Sequence, residues 1–377
     1  MIQITDIDVI ELRVPEQRAL DLDPTSNGCL IRIHTNADVT GIAEVDSLPS
    51  VIKAIVEAPP RINTLMGLKS ILLGENPLDI TRLWQKMYQH TSYCGRRGIV
   101  MHAISGIDIA LWDLYGKLEN KPLAELLGQP KHTHLPAYTT VYPLGRSVDE
   151  LHQALDRALH YPVKALKLAI DPFWREQPEL GIELLETARA YVGNEMALML
   201  DATASFQHCS ELAPLVPTLK ACDIQWLEAA FPLDLLDQYQ QLKEAGIPVG
   251  AGDTGLTAPA EWVPYFEQAQ IDIAQPDISW VGGFTALQEI ADMARDAGSR
   301  LIPHGWNTDL TLAANLHFLA VQVDIEYAEF STSASPLRWQ LATNGPTIGT
   351  NGMIAVPEGP GLGITLDEAT VEKYRIN

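Results

Sequence analysis

Four acidic residues and one histidine close five short apolar runs at near-regular intervals. The runs are Ala197-Leu198-Met199-Leu200-Asp201, Ile224-Gln225-Trp226-Leu227-Glu228, Pro248-Val249-Gly250-Ala251-Gly252-Asp253, Ile271-Asp272-Ile273-Ala274-Gln275-Pro276-Asp277 and Leu301-Ile302-Pro303-His304. Successive closing residues lie 27, 25, 24 and 27 positions apart. Each interval holds one strand, one helix and two loops, the repeat of a parallel βα barrel. Strands joined in this way all run in one direction, so the last side chain of each reaches the same rim. Carboxylates that converge there repel one another unless protons or a cation lie between them. The cadence therefore predicts a barrel with a metal site at its mouth.

Flanking segments complete the plan. Residues 136–141 and 163–169 read as the first two strands and 325–329 as the eighth, with helices at 176–192, 210–220, 285–297 and 311–321. Ahead of the barrel, strand-like alternation at 4–14, 29–34 and 39–45 surrounds the turn Asn36-Ala37-Asp38 and predicts a small sheet. Helical periodicity follows at 80–90 and 100–118, where Ile104, Ile107, Ile109, Ala110, Leu111 and Leu114 form a broad apolar face. The tail from 345 to 363 is rich in Gly and Pro, as befits a segment that leaves the barrel and returns to the first domain. The expected division is an α+β cap over 1–130, an α/β barrel over 131–335 and a returning segment over 336–377.

The chain's 377 residues suffice for such a plan, since a barrel of this kind takes about 250. A formal charge of −22 argues against a nucleic acid or an anionic membrane as partner. It also means that an anionic substrate needs shielding by a metal or by placed Lys and Arg. Cys29, Cys94, Cys209 and Cys222 show no metal-like or redox spacing and read as reduced thiols. No basic start followed by an apolar stretch is seen, nor any run of about 18 apolar residues. The expectation is a soluble, cytoplasmic protein acting on a small molecule.

The oxygen-only set Asp201, Glu228 and Asp253 suits a hard cation such as Mg²⁺. Asp277 beside His304 would fix the imidazole tautomer and raise its basicity, as a general base requires. In Lys164-Ala165-Leu166-Lys167-Leu168-Ala169, alternation sends Lys167 towards the mouth and leaves Lys164 solvated on the other face. Strand eight offers Glu326 and Glu329. Arg96 and Arg97 read as a surface turn, with a clamp on a distal carboxylate as the functional alternative. Residues 20–27 fall where a lid would lie, and Trp306 and Asn307 follow the histidine closely enough to touch substrate.

Taken together, these motifs resemble the enolase superfamily and, within it, the mandelate racemase-like subgroup. The likeness rests on Leu-Met-Leu-Asp201-Ala202, Trp226-Leu227-Glu228, Gly252-Asp253, Gln275-Pro276-Asp277 with Gly282-Gly283, Pro303-His304-Gly305, and the tail from Val356-Pro357-Glu358-Gly359 to Gly363-Ile364. The resemblance implies a modified (β/α)7β barrel, with the cap completed by the C-terminal segment. It further implies abstraction of the proton next to a carboxylate, Mg²⁺ held by Asp201, Glu228 and Asp253, and His304 with Asp277 as the acid/base dyad. Lys167 would lie near one substrate carboxylate oxygen and Glu326, preferred to Glu329 on the family's register, near the other. A homo-oligomer, such as an octamer, is also implied.

Two departures from the pattern matter. The subgroup's Lys-x-Lys on strand two is Lys167-Leu168-Ala169 here, so the base on the face opposite the histidine is missing. Asp253 stands where a Glu is usual, one methylene shorter in reach. One-sided chemistry favours an acid-sugar dehydratase converting an aldonate or aldarate to a 2-keto-3-deoxy acid. The alternatives are a racemase or epimerase with an unrecognised second base, and a non-catalytic regulatory member.

Overall fold

The computed structural model describes residues 2–15 and 23–376. Strands β1 (Ile4–Arg13), β2 (Asn27–Thr35) and β3 (Thr40–Glu44) form an antiparallel meander in the order β1-β2-β3. Their Ile- and Val-rich runs bury Ile7, Val9, Ile31, Ile33 and Ala43, as half-buried strands do. Helices stand against this sheet. Ile80–His90 buries Ile80, Leu83 and Met87, a single stripe at helical spacing. Ile99–Glu119 is apolar on most of its circumference because it lies between the sheet and the barrel.

The barrel strands are β4 (His134–Val141), β5 (Ala165–Ala169), β6 (Ala197–Asp201), β7 (Ile224–Glu228), β8 (Val249–Ala251), β9 (Ile273–Ala274), β10 (Arg300–Leu301) and β11 (Ala328–Phe330). All pair in parallel, and the ladder runs β10-β9-β8-β7-β6-β5-β4-β11. Its two ends, β10 and β11, are not paired among the described residues. Side chains bridge that gap instead: Arg300 and Glu326 form an ion pair at 2.7 Å, and the Gly305 amide donates to Glu329 Oε2 at 3.0 Å.

Inside the barrel the two-residue period of each strand builds layers. Tyr138, Ala165, Met199, Trp226, Ile273 and Ile302 form a closed apolar plug. One layer above it, on the same faces, come Thr140, Lys167, Asp201, Glu228, Gln275 and Glu329. This alternation puts the charged side chains of that layer at the mouth.

Several polar pins fix the cap on the barrel. Asp108 accepts from Thr285 Oγ1 at 2.6 Å, Ser105 Oγ accepts the Gly282 amide at 2.7 Å, and Trp84 Nε1 donates to the Gly282 carbonyl at 2.8 Å. The C-terminal segment does come back: β12 (Met353–Ala355) pairs antiparallel with β4, Leu12 bridges Arg375, and Asp113 accepts the amides of both Ile42 and Leu362 at 2.8 Å. Among the described residues no helix is long and apolar enough to cross a membrane.

Two sequence expectations need correction. Residues 210–220 form two short helices, Cys209–Leu212 and Val216–Ala221, because Pro214 falls in the break and has no amide to continue a single helix, while Pro217 is tolerated at the start of the second. The eighth strand begins three residues later than expected, at Ala328, which changes the side chain it delivers to the mouth.

Candidate active site

Asp201 and Glu228 are the last residues of β6 and β7, paired in register across the ladder. Asp253 follows β8 through Gly252, whose φ of 129° and closeness to the Trp262 ring leave no room for a side chain. The three carboxylates are buried and offer ligand atoms within 4.8 Å of one another. Asp253 therefore reaches the cluster despite its shorter side chain. Among the described residues its Oδ1 is buried without a partner, an arrangement that costs free energy unless something fills the gap. Burial, reinforced by the Glu228 carboxylate, pushes Asp201 up to about 7 and Asp253 well above the usual carboxylate range. An all-oxygen, charge-crowded set with an orphaned acceptor fits a hard divalent cation.

Neighbouring groups hold Glu228 in place. Lys167 Nζ lies 2.7 Å from its Oε1, Trp226 Nε1 donates to Oε2 at 3.3 Å, and Gln275 Nε2 donates to that same oxygen. Lys167 is itself 1% exposed and pairs with Glu329 at 3.0 Å. Burial opposes its charge, but Glu228 and Glu329 outweigh that and hold its pKa well above the ordinary lysine value. Glu329 also accepts from Thr140 Oγ1 at 2.7 Å, and Lys167 helps keep it down at about 2 against the cost of burial.

His304 Nδ1 lies 2.7 Å from Asp277 Oδ2. Asp277 Oδ1 in turn accepts from the Ser279 amide and hydroxyl, at 2.7 and 2.6 Å. The carboxylate thus has its donors set, and the imidazole Nε2 makes no hydrogen bond among the described residues. Burial works against protonation, yet the hydrogen bond to Asp277 and the nearby carboxylates raise His304 to about 10. The Trp280 ring lies against His304, centroids 5.5 Å apart.

Asp201, Asp253, Lys167, Glu329, His304 and Trp280 line one cavity of about 540 Å³, together with Asp46 and His102 from the cap, Ala169, Thr203, Tyr142 and Trp306. Glu228 and Asp277 stand behind this lining and bond to it, and Gln275 bonds to Glu228. A volume of this size suits a small ligand. The structure thus brings Asp201, Glu228, Asp253, Lys167, Asp277 and His304 together. It does not bring Glu326, which points out of the barrel to Arg300; Glu329 occupies the place expected for it. The reason is parity: residues 327 and 329 face inwards, and 326 lies on the other face. Lys164 is exposed, Arg97 pairs with Glu261 at 3.6 Å, and Arg96 is an exposed turn residue at φ 70°. None of these three lines the cavity. Of the suggested lid, residues 20–22 lie outside the described residues, while Asp23 accepts from Ser333 Oγ at 2.6 Å.

Sequence reasoning missed three contributors. Gln275 stood in a recognised motif without an assigned role. Asp46 and His102 carried no signal, since only docking of the cap brings them to the mouth. Burial, followed by the Asp277 charge, pushes Asp46 up to about 7, and burial pushes His102 down to about 4.

A capped parallel barrel with three carboxylates and an Asp–His pair at its mouth defines a class of metal-assisted enzymes, and comparison with known proteins narrows it. Residues 1–128 match the family described as mandelate racemase / muconate lactonizing enzyme, N-terminal domain, and residues 147–370 match enolase C-terminal domain-like. The chain belongs to the enolase superfamily, in its mandelate racemase-like branch. It is 32% identical to the arabinonate dehydratase of Saccharolobus solfataricus over 82% of this chain and 81% of that one. It is 30% identical to the D-galactarolactone cycloisomerase of Agrobacterium fabrum over 85% and 86%. The crystal structure of the 3,6-anhydro-D-galactonate cycloisomerase from Zobellia galactanivorans superposes over 100% of both chains with a TM-score of 0.86 and 28% identity.

Proposed function

We propose that this protein is a Mg²⁺-dependent acid-sugar dehydratase. It removes water from a polyhydroxy acid to give a 2-keto-3-deoxy acid. The observation that carries this reading is the one-sidedness of the site: His304, oriented by Asp277, shares the mouth with Ala169, which has no proton to take or give. Inversion at carbon needs bases on both faces, whereas elimination needs only one. The arabinonate dehydratase relative supports the same chemistry.

Asp201, Glu228 and Asp253 would hold the metal, which supplies positive charge where negative charge builds on the substrate carboxylate. Lys167 and Glu329 would flank that carboxylate, the first as a fixed cation and the second as a partner for a shared proton. His304 Nε2 takes the proton from the carbon next to the carboxylate. The bond from the adjacent carbon to its hydroxyl then breaks, and the leaving oxygen departs as water with the proton returned by His304. The enol left behind tautomerises to the keto acid.

The test is a screen of the Mg²⁺-loaded protein against a library of acid sugars, with keto-acid formation as readout. His304→Asn should lower turnover by about 10²- to 10⁴-fold. Full activity in that variant would refute the assignment of the base. Deuterium uptake with inversion and no loss of water would favour a racemase.

A further inference from the structure

The open junction of the barrel lies where the base is attached. β10 ends at Leu301, three residues short of His304, and makes no ladder bonds to β11 among the described residues. On the closed side the His304 amide donates to the Pro276 carbonyl at 3.1 Å. On the open side, two side chains hold the peptide unit that joins His304 to Gly305. Asn315 Nδ2 donates to the His304 carbonyl at 2.9 Å, and the Gly305 amide donates to Glu329 Oε2 at 3.0 Å. With the amide and the carbonyl of His304 both held, the direction in which its side chain leaves the backbone is set.

Asn315 is an unexpected residue for its place. It lies in helix Asp309–Ala320, every residue of which is buried, among Leu312, Ala313, Ala314, Leu316, Phe318 and Leu319. Its own exposure is 3%, and its Oδ1 has no partner among the described residues. A buried amide with its acceptor unused costs stability that an apolar side chain of similar shape would not. What the position gains is the bond to the His304 carbonyl. Gly305 is fitted to that bond, since a Cβ there would come within 3.0 Å of Asn315 Nδ2. The helix is itself fixed one turn earlier: Thr311, on the same face as Asn315, donates to Glu44 at 3.0 Å. A chain of contacts therefore runs from the cap, through this helix, to the backbone of the base.

We infer that Asn315 is a positioning residue, which stands in for the missing ladder bond at the open junction and fixes the His304 peptide so that the imidazole meets both Asp277 and the substrate. Asn315 does not line the cavity and acts only through His304. This inference rests on His304 being the base, as proposed above.

The experiment follows the low-field proton resonance of His304 Nδ1–H, the bond to Asp277, in the Mg²⁺-loaded protein. His304→Asn assigns the resonance by its loss. The variants are Asn315→Ala, Gly305→Ala and the two combined, each checked for a cooperative thermal transition. Asn315→Ala should shift or broaden the resonance. It should also lower kcat, for the acid sugar that the wild type turns over, by about 10- to 100-fold. KM should change by less than about threefold, the pattern of a displaced base rather than a lost binding contact. Gly305→Ala should act in the same direction more weakly, by pushing the amide aside, and should add nothing in the Asn315→Ala background. An unchanged resonance in both single variants would overturn the inference, whatever happens to activity. So would a raised KM with kcat intact. Wild-type turnover of an acid sugar with an unmoved resonance would leave the dehydratase reading intact and refute the inference alone. A resonance that responds, in a protein that removes water from no acid sugar, would uphold the inference and refute the reading.

Discussion

Lys167 shows how one residue decides what its neighbours can be. Glu228 and Glu329 come from different strands, both are fully buried, and a single ammonium group lies between them at 2.7 and 3.0 Å. A buried charge that loses its partner is destabilising by several kcal/mol, because solvent cannot replace what was removed. Lys167→Met keeps the volume and deletes the charge. In the absence of metal it should lower the unfolding free energy by about 3 kcal/mol, read by urea denaturation. A loss below about 1 kcal/mol would mean that the carboxylates are satisfied without the ammonium. The same residue explains why Lys167 was legible from sequence and its partners less so. A lysine amid apolar residues on a barrel strand announces itself, but which acidic residue meets it depends on another strand's register.

At the scale of elements, strand ends were readable because each apolar run terminates in a single polar side chain. Asp201, Glu228 and Asp253 needed no knowledge of pairing, only of where each run stops. Strand eight lacks that property. Ile325-Glu326-Tyr327-Ala328-Glu329-Phe330 has apolar residues on both faces, so alternation alone does not say which glutamate points inward. The structure resolves the choice through Tyr327, which packs on Tyr138 at the barrel plug and puts Glu329 on the same side. Paired substitutions check this. Glu326→Gln removes a partly exposed ion pair and should cost less than about 1 kcal/mol, with activity retained. Glu329→Gln disturbs Lys167, Thr140 and the Gly305 amide together and should lower kcat by at least about 100-fold. Equal effects in the two variants would show that strand eight delivers Glu326 after all. Asp46 and His102 illustrate the opposite limit: they sit far from the barrel in sequence, and no local pattern marks a residue whose role arises from docking.

For the molecule as a whole, the cap and barrel are joined by groups whose charge is costly. Glu44, at the end of β3, accepts from the Thr308 hydroxyl at 2.7 Å and the Thr311 hydroxyl at 3.0 Å, a few residues beyond His304. Burial still pushes it up to about 7, and its Oε1 has no partner among the described residues. A carboxyl raised in the folded state binds its proton more tightly there than when unfolded. Its contribution to stability is therefore complete below the ordinary glutamate range and is lost as pH rises through about 7. Glu44→Gln removes the titration, so its stability relative to wild type should improve between pH 5 and pH 8, as thermal melts of both proteins would reveal. A difference independent of pH would mean that Glu44 is not buried in this way. The gap between β10 and β11 has a dynamic consequence of its own. Backbone amides in a continuous ladder exchange with solvent only when the ladder opens, whereas a junction closed by side chains can part by rotamer motion. Deuterium labelling should therefore reach Arg300–Leu301 and Ala328–Phe330 sooner than Ala165–Ala169 or Ala197–Asp201. The strand leading to the base would then sit at the most yielding place in the ring, and the acidic triad on the most rigid arc.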